Sequence, residues 1–124
     1  MKCPKCQANM ESNSYGGSPV QRCTNCHGLW FGSNEFAKLI KDDWLAGFID
    51  NNRTKESIKQ DKLAEVHCPE CNARMKHLTD EKQPHILYEE CTNGCGVYFD
   101  AGEFKDLAKT TFWDKFKTHK ILDK

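Results

Sequence analysis

Two stretches of this 124-residue chain align without a gap: CTNCHGLWFGSNEFAKL at residues 23–39 and CTNGCGVYFDAGEFKDL at residues 91–107. An earlier pair of segments, CQANM at residues 6–10 and CNARM at residues 71–75, shows the same likeness at an offset of 65 residues instead of 68. Self-similarity of this kind indicates a tandem repeat. The change in offset falls in the loop between the two cysteine pairs of each copy.

The eight cysteines form four close pairs, two in each copy. The first copy has the spacing Cys-x2-Cys-x16-Cys-x2-Cys, and the second has Cys-x2-Cys-x19-Cys-x3-Cys. Two cysteines this close can share one tight turn, a knuckle, and a hairpin brings two knuckles together as a tetrahedron of thiolates. We therefore predict one structural Zn2+ in each copy and two per chain. The predicted ligands are Cys3, Cys6, Cys23 and Cys26 in the first copy, and Cys68, Cys71, Cys91 and Cys95 in the second.

Other assignments of the cysteines stay open at this stage. His27 stands opposite Cys95 in the alignment, so His27 is an alternative to Cys26 as the fourth ligand. Iron fits the same four-thiolate geometry. A disulfide scaffold would need an oxidising compartment, and a dithiol oxidoreductase would leave three of the four pairs without a role.

The pattern predicts a small, metal-stabilised α+β fold made of two tandem zinc ribbons, each followed by an α-helix. A ribbon is here a β-hairpin that carries two cysteine knuckles. Residues 1–52 are expected to form the first ribbon with its helix, 53–66 a polar connector, and 67–124 the second ribbon with its helix. Turn residues at 15–19 predict the first hairpin, and residues 86–88 read as a strand that leads into Cys91.

Apolar residues spaced by four predict a helix of four turns or more after each ribbon. These residues are Phe36, Ile40, Trp44 and Phe48 in the first copy, and Phe104, Ala108, Phe112 and Phe116 in the second. Asp100 and Glu103 have capping-box spacing, and Ser33 is the expected cap in the first copy.

The composition argues against several classes of protein. Lys plus Arg and Asp plus Glu are each 18, so the formal net charge is zero, and the strongly basic profile of a phosphate-neutralising protein is missing. The apolar stretch at residues 44–49 is far too short for a membrane span. The N-terminal residues contain no apolar core of a signal peptide, so a cytoplasmic location is expected. Thiols stay reduced there, which favours metal ligation over disulfides.

The cysteine-bearing part of each copy resembles the bacterial zinc-ribbon domains grouped with the transcription factor IIB-type zinc-finger family. The resemblance rests on CPKC at residues 3–6, CPEC at 68–71, and the Cys-x2-Cys-x-Gly-Leu-Trp pattern that ends at Trp30. The second copy has Tyr98 in place of the tryptophan and an extra Gly94 before Cys95. The resemblance implies the zinc-ribbon fold and the zinc ligands, and it carries a nucleic-acid association by analogy only.

Two readings of the aromatic residues bear on function. Trp30-Phe31 and Tyr98-Phe99 are expected to cover the zinc knuckle with one ring and pack on the helix with the other, although exposed rings here would stack on bases. The aromatic stripes of the two helices suggest packing against each other or against a partner chain, including a homodimer.

A protein-interaction or assembly module is the favoured function, and nucleic-acid binding is the alternative. Two four-thiolate zinc sites take the formal charge from zero to about −4, and only residues 105–124 are locally basic. A redox or metal-handling factor ranks third. We expect no enzyme, because the sequence shows no clear nucleophile-and-base arrangement or phosphate-binding loop and all eight cysteines are assigned to metal. Separate sites further predict that Cys71→Ser unfolds the second unit and leaves much of the first folded.

Overall fold

The structure, a computed structural model, describes residues 1–50, 65–79 and 86–108 and shows a small α+β fold made mostly of antiparallel sheet. Residues 103–108 form the helical segment α3. We call residues 1–50 the N-terminal half, and residues 65–79 with 86–108 the C-terminal half. The other elements are β1 (Met10–Tyr15), β2 (Ser18–Cys23), β3 (Leu29–Gly32), α1 (Ser33–Leu39), α2 (Asp43–Ile49), β4 (Met75–Thr79), β5 (Leu87–Cys91) and β6 (Gly96–Phe99).

The predicted hairpin between the cysteine pairs of the first copy is confirmed. Strands β1 and β2 pair from Met10–Cys23 to Tyr15–Ser18. Gly16 and Gly17 join them with φ values of 58° and 84°. Positive φ at both residues of a two-residue turn matches the twist of paired strands, and glycine adopts it without steric cost. The strand predicted at residues 86–88 is also present, because β5 begins at residue 87.

The two halves of the chain meet along β3 and β6, a pairing that the sequence analysis did not predict. The strands run antiparallel from Leu29–Phe99 to Gly32–Gly96. This pairing joins two three-stranded sheets into one sheet with the order β1-β2-β3-β6-β5-β4. Both central strands are buried almost throughout, so their sequences show no alternation of polar and apolar residues.

Two glycines admit this close approach of the halves. A Cβ atom on Gly28 would overlap the hydroxyl group of Tyr98. A Cβ atom on Gly96 would overlap the backbone carbonyl of Phe31 and crowd the ring of Trp30.

One apolar core is shared by both halves. It lies under α1, α2 and α3, and its aromatic rings contact one another across the β3–β6 pair; Phe31 and Phe99, for example, meet edge to face at 5.9 Å. The buried members are Val20, Leu29, Phe31, Leu39, Ala46 and Ile49 from the N-terminal half, and Ile86, Val97, Phe99, Phe104, Leu107 and Ala108 from the C-terminal half.

The prediction of one continuous helix of four turns after the first ribbon is wrong. The chain forms two seven-residue helices, α1 and α2. Asp42 is the N-cap of α2, because its side chain accepts a hydrogen bond from the backbone N–H of Leu45 (2.9 Å). A new helix therefore begins here. The stripe is therefore divided. Phe36 packs on the core from α1, whereas Trp44 on α2 is exposed.

The predicted cap of the second helix is also wrong. The Asp100 carboxylate pairs with Lys5 Nζ at 3.0 Å, and its other oxygen has no hydrogen-bond partner among the described residues. Asp50, which follows α2, supplies the cap of α3 instead. Its two carboxylate oxygens accept hydrogen bonds from the backbone N–H groups of Gly102 (2.7 Å) and Lys105 (3.0 Å). A residue of the N-terminal half thus holds the start of a helix in the C-terminal half.

Ser33 does not cap α1 as predicted. The N-cap position is Gly32, and it makes no side-chain cap hydrogen bond. Ser33 Oγ donates to the carbonyl of Gly94 at 2.6 Å, and the Ser33 N–H donates to the carbonyl of Cys95 at 3.1 Å. The start of α1 is therefore fixed to a knuckle of the other half.

Two predictions fall on parts of the chain outside the described residues. These are the connector, except for its last two residues, and the helix positions Phe112 and Phe116. No helix in the described ranges is long and apolar enough to cross a membrane.

Candidate metal centres

The first cluster of cysteines forms where the N-terminal knuckle meets the end of the first hairpin. It contains Cys3, Cys6, Cys23 and Cys26, whose Sγ atoms all lie within 4.8 Å of one another. Cys3 Sγ and Cys26 Sγ are 3.8 Å apart, and Cys6 Sγ and Cys23 Sγ are 3.3 Å apart. Four sulfur atoms drawn from two turns thus face a common centre.

The second cluster repeats this arrangement in the C-terminal half. It contains Cys68, Cys71, Cys91 and Cys95, again with all Sγ atoms within 4.8 Å. Cys71 Sγ and Cys91 Sγ are 3.5 Å apart. The eight predicted ligands are therefore brought together in two groups of four, divided as the sequence spacing indicates.

Three of the four knuckles share one backbone geometry. In the first, the Cys3 carbonyl accepts a hydrogen bond from the N–H of Gln7 (3.0 Å), and Gln7 has a φ of 65°. His27 and Asn72 hold the equivalent positions, with φ values of 63° and 64°. The fourth knuckle has one more residue between its cysteines, and Gly94 takes the positive φ of 79°. Glycine is suited to that position because it carries no Cβ.

The geometry of both clusters fits a tetrahedral zinc ion. A Zn–S bond of about 2.3 Å in a tetrahedron places sulfur atoms about 3.8 Å apart, close to the separations seen here. The sulfur atoms are much farther apart than the roughly 2.05 Å of a disulfide, and all eight cysteines are free. Each cluster would hold one Zn2+ through four thiolates, with no open position for water or substrate.

The geometry of the first cluster favours Cys26 over His27 as the fourth ligand. Cys26 is buried and its Sγ belongs to the cluster, whereas His27 does not. His27 instead continues the knuckle, with its N–H donating to the carbonyl of Cys23 at 3.1 Å. A two-residue spacer therefore brings Cys26 inward and turns His27 away.

Backbone amides donate hydrogen bonds to sulfur atoms in both clusters. The N–H groups of Asn25 and Cys26 each donate to Cys23 Sγ at 3.4 Å. In the second cluster, the N–H of Glu70 donates to Cys68 Sγ at 3.4 Å and that of Asn93 to Cys91 Sγ at 3.3 Å. Such hydrogen bonds orient thiolate ligands and spread their negative charge.

Within each cluster the thiols compete for negative charge. The hydrogen bond with Cys26 is the main cause that lowers the pKa of Cys3 to about 4, and the same contact raises the pKa of Cys26. In the second cluster, a backbone hydrogen bond from Ala73 is the main cause that lowers the pKa of Cys71 to about 6. The hydrogen bond with Cys71 raises the pKa of Cys95 to about 12. A bound dication allows all four sulfur atoms to ionise together.

One aromatic side chain from each half reaches the opposite half. The Tyr98 hydroxyl lies 3.3 Å from Cys3 Sγ and 3.4 Å from Cys26 Sγ, across the β3–β6 pair. Trp30 Nε1 donates a hydrogen bond of 2.9 Å to the carboxylate of Glu70, in the first knuckle of the C-terminal half.

A buried ion cluster fixes the first knuckle to the C-terminal half. Lys5 Nζ lies 3.2 Å from Glu89 Oε1 and 3.0 Å from Asp100 Oδ2, and all three side chains are no more than 3% exposed. Lys5 Nζ also lies 5.5 Å from the centre of the Tyr98 ring. Burial raises the pKa of Glu89, whose second oxygen is 3.1 Å from His77 Nδ1. Isolated charges are costly to bury, so this cluster depends on the two halves being docked.

The prediction for the ribbon aromatics is confirmed. Trp30 and Tyr98 pack among the cysteines, and Phe31 and Phe99 pack in the core against the helices. All four rings are buried, so none presents a face for stacking on a base.

Sequence reasoning missed Lys5, Glu70 and Glu89 as residues that support the centres. Lys5 and Glu70 occupy equivalent positions in the two first knuckles but carry opposite charges. That difference between the copies was the available signal. Their contacts could not be inferred, because they depend on the pairing of β3 with β6.

Comparison with known proteins agrees with the cysteine geometry. Residues 2–42 match a family model described as Transcription factor zinc-finger, a zinc ribbon of the transcription factor IIB type. No match was found among curated proteins or among solved structures. The matched region includes the whole first cluster, and the second cluster lies beyond it with the same four-cysteine arrangement. Residues 2–42 are thus similar to a zinc ribbon, and the two four-cysteine clusters bind two zinc ions per chain.

Proposed function

We propose that this chain is a protein-interaction module in which zinc is structural and α2 carries the partner-binding surface. Two four-cysteine centres support a structural role, because catalytic zinc keeps an open coordination position. The proposal includes no enzymatic activity. It places the chain in the cytoplasm, where free thiols remain available to bind metal.

The observation that carries this proposal is an exposed pair of aromatic rings on α2. Trp44 is 74% exposed and Phe48 is 52% exposed. Their ring centres are 4.8 Å apart and the rings meet edge to face. Exposed tryptophan is costly to leave in water, and it is enriched among the residues that dominate binding energy at protein interfaces.

The rest of α2 is well suited to present this pair. Ala46 and Ile49, on the opposite side of the helix, are fully buried in the shared core. Leu45 is partly buried against the same core. The helix is therefore anchored to the core by one side, and the two rings are exposed on another.

The spacing of the pair indicates the chemistry of the partner. Residues four apart on a helix occupy one face, and an apolar groove is the surface that accepts such a pair. We therefore propose a protein partner with an apolar groove. A second copy of this chain is the alternative occupant and would give a homodimer.

Nucleic-acid binding is the second candidate function, and the family description favours it. The buried ribbon aromatics argue against stacking on bases, and the zero formal net charge argues against broad phosphate binding. The lysine-rich residues 105–124 are the part of the sequence that would contact phosphate. Charge reversal of Lys109, Lys117 and Lys120 would abolish binding by that segment.

Site-specific photo-crosslinking tests the proposal. A photoreactive amino acid at the exposed position Lys41 would be activated in cells, in the wild type, in Trp44→Ala/Phe48→Ala, and in the matched control Lys38→Ala/Lys76→Ala. We expect one protein to be crosslinked in the wild type and the control and lost in the aromatic variant. The purified partner should bind the aromatic variant at least about tenfold more weakly, as expected for hot-spot side chains.

The other outcomes would reject the partner-groove proposal. A crosslink between two copies would establish the homodimer. Recovery of salt-sensitive DNA or RNA would establish the nucleic-acid function. An equal crosslink in all three proteins would show that the aromatic pair has no role. The melting temperature of each variant would verify that it remains folded.

A further inference from the structure

The two metal centres differ in how well their sulfur atoms are covered. In the first centre Cys3, Cys23 and Cys26 are buried, and Cys6 is half-buried. In the second, Cys71 is exposed. Cys6 and Cys71 are equivalent in the two copies, so the same ligand position is half-buried in one half and exposed in the other.

Residues of the opposite half cover two sulfur atoms of the first centre, those of Cys3 and Cys26. The Tyr98 hydroxyl sits over Cys3 and Cys26, at 3.3 and 3.4 Å from their sulfur atoms. Beside it, Lys5 is held against the C-terminal half by two buried carboxylates. An attacking molecule in solution would have to displace these groups before it reached those two sulfur atoms.

In the second centre Cys68 and Cys91 are buried, but Cys71 is left exposed. Trp30, at the position equivalent to Tyr98, directs its Nε1–H to the carboxylate of Glu70 at 2.9 Å. The longer fourth knuckle places Asn93 and Gly94 at the surface, with Cys95 half-buried. Asn93 Nδ2 lies 3.5 Å from the Cys71 sulfur, and that contact is exposed to solvent.

We propose that the second centre is an oxidation-sensitive zinc site, in which hydroperoxides attack Cys71 and zinc leaves while the first centre stays loaded. Oxidation of a thiolate depends on its access to the oxidant, and Cys71 is the most exposed of the eight ligands. Cys91, with its sulfur 3.5 Å away, is the partner that closes the disulfide. This inference is independent of the partner-binding proposal.

The reaction has two balanced steps. The Cys71 thiolate attacks one oxygen of hydrogen peroxide, the O–O bond breaks, and hydroxide leaves, which gives a sulfenic acid. The Cys91 thiolate then attacks that sulfur, an S–S bond forms, the S–O bond breaks, and a second hydroxide leaves. The two sulfur atoms lose two electrons and the peroxide gains them. The solvent protonates both hydroxides, and the centre is left with too few thiolates to keep zinc.

The test treats the zinc-loaded full-length chain with limiting hydrogen peroxide. A colorimetric zinc chelator would follow release, and mass spectrometry after alkylation would map the oxidised cysteines at each time. We expect one zinc per chain to be released in a fast phase together with a Cys71–Cys91 disulfide. The second zinc should leave at least about tenfold more slowly. Reduction by a dithiol with added zinc should restore the two-zinc form.

A matched variant tests the reason for the difference. Tyr98→Phe removes the hydroxyl over Cys3 and Cys26 and keeps the ring, so release from the first centre should accelerate while the fast phase stays unchanged. An unchanged slow phase in this variant would reject the hydroxyl as the shield. Equal release of both zincs in the wild type, or a first disulfide among the cysteines of the first centre, would overturn the proposal.

Discussion

Tyr98 and Gly28 form a close contact between the two halves, next to the paired strands β3 and β6. Tyr98 lies on β6, and its hydroxyl reaches the sulfur atoms of the first centre. Gly28 leaves the space for that hydroxyl, because any Cβ atom there would overlap it. The absence of a side chain at Gly28 therefore allows Tyr98 to reach the first metal centre while β3 and β6 stay paired.

A pair of glycine substitutions tests this contact. Gly28→Ala forces a buried overlap with Tyr98, so we expect a loss of about 1–3 kcal/mol in the free energy of unfolding. Gly47→Ala is the control. Nothing lies within 4 Å of its new Cβ. Because alanine is a better helix former than glycine, this substitution in α2 should raise the free energy of unfolding by about 0.5–1 kcal/mol. Urea unfolding of the zinc-loaded proteins measures the free energy of unfolding of each variant. A change of the same sign in both variants would contradict the structure.

At the scale of elements, helices and knuckles of one half are held by residues of the other. Asp50 caps α3 through the N–H groups of Gly102 and Lys105. Ser33, at the start of α1, bonds to the carbonyls of Gly94 and Cys95 in the fourth knuckle. Short helices have little stability alone, so these contacts decide where they begin.

Removal of the cross-half cap should affect the helix that it caps. Asp50→Ala leaves the buried N–H of Gly102 without this acceptor, and we expect a loss of about 1–2 kcal/mol in stability. Hydrogen exchange should speed up at Gly102 and Lys105. Asp42→Ala, which removes the exposed cap of α2, is the control and should affect the Leu45 amide instead. Unchanged exchange at Gly102 in Asp50→Ala would show that the cap has no effect.

Features encoded over short distances in the sequence were predictable. The cysteine spacings indicated both groups of ligands, and Gly16-Gly17 indicated the first hairpin turn. The division of Trp30 and Phe31 between knuckle and core also followed from the local pattern. These features depend on turn geometry and on residues that are close in sequence.

The features that join distant segments could not be predicted. β3 pairs with β6 across 64 residues or more, and the burial of both strands removes the alternation that marks a strand. The continuous apolar runs at 29–31 and 97–99 were the only local sign. The cap of α3 comes from Asp50, so the local capping-box pattern at Asp100 was misleading: its carboxylate is held by Lys5.

At the scale of the whole molecule, the described parts of both halves share one sheet and one apolar core. The core cluster draws residues from each half. A second buried cluster contains cysteines of both centres together with Trp30 and Tyr98. Neither half buries its central strand without the other, so folding of the two halves should be coupled.

The coupled fold changes the expected effect of losing one ligand. The sequence alone predicted that Cys71→Ser unfolds only the second unit. Because the sheet is shared, we now expect one unfolding transition at a lower temperature for the whole chain. Structural zinc contributes about 10–16 kcal/mol in small finger peptides, so weakening one site removes stability that both halves use. Circular dichroism and calorimetry measure this, and two separate transitions would contradict it. The peroxide-oxidised chain differs from Cys71→Ser, because its Cys71–Cys91 disulfide still links the two knuckles of the second centre.

Native mass spectrometry during stepwise removal of zinc tests the central claim, that two four-cysteine zinc centres support one shared fold. Under reducing conditions the untreated chain should carry the mass of two zinc ions. As chelator is added, that form should give way to the zinc-free chain, with the one-zinc form remaining a minor species throughout. An initial mass without two zincs would contradict the centres, and a dominant one-zinc form would contradict the shared fold.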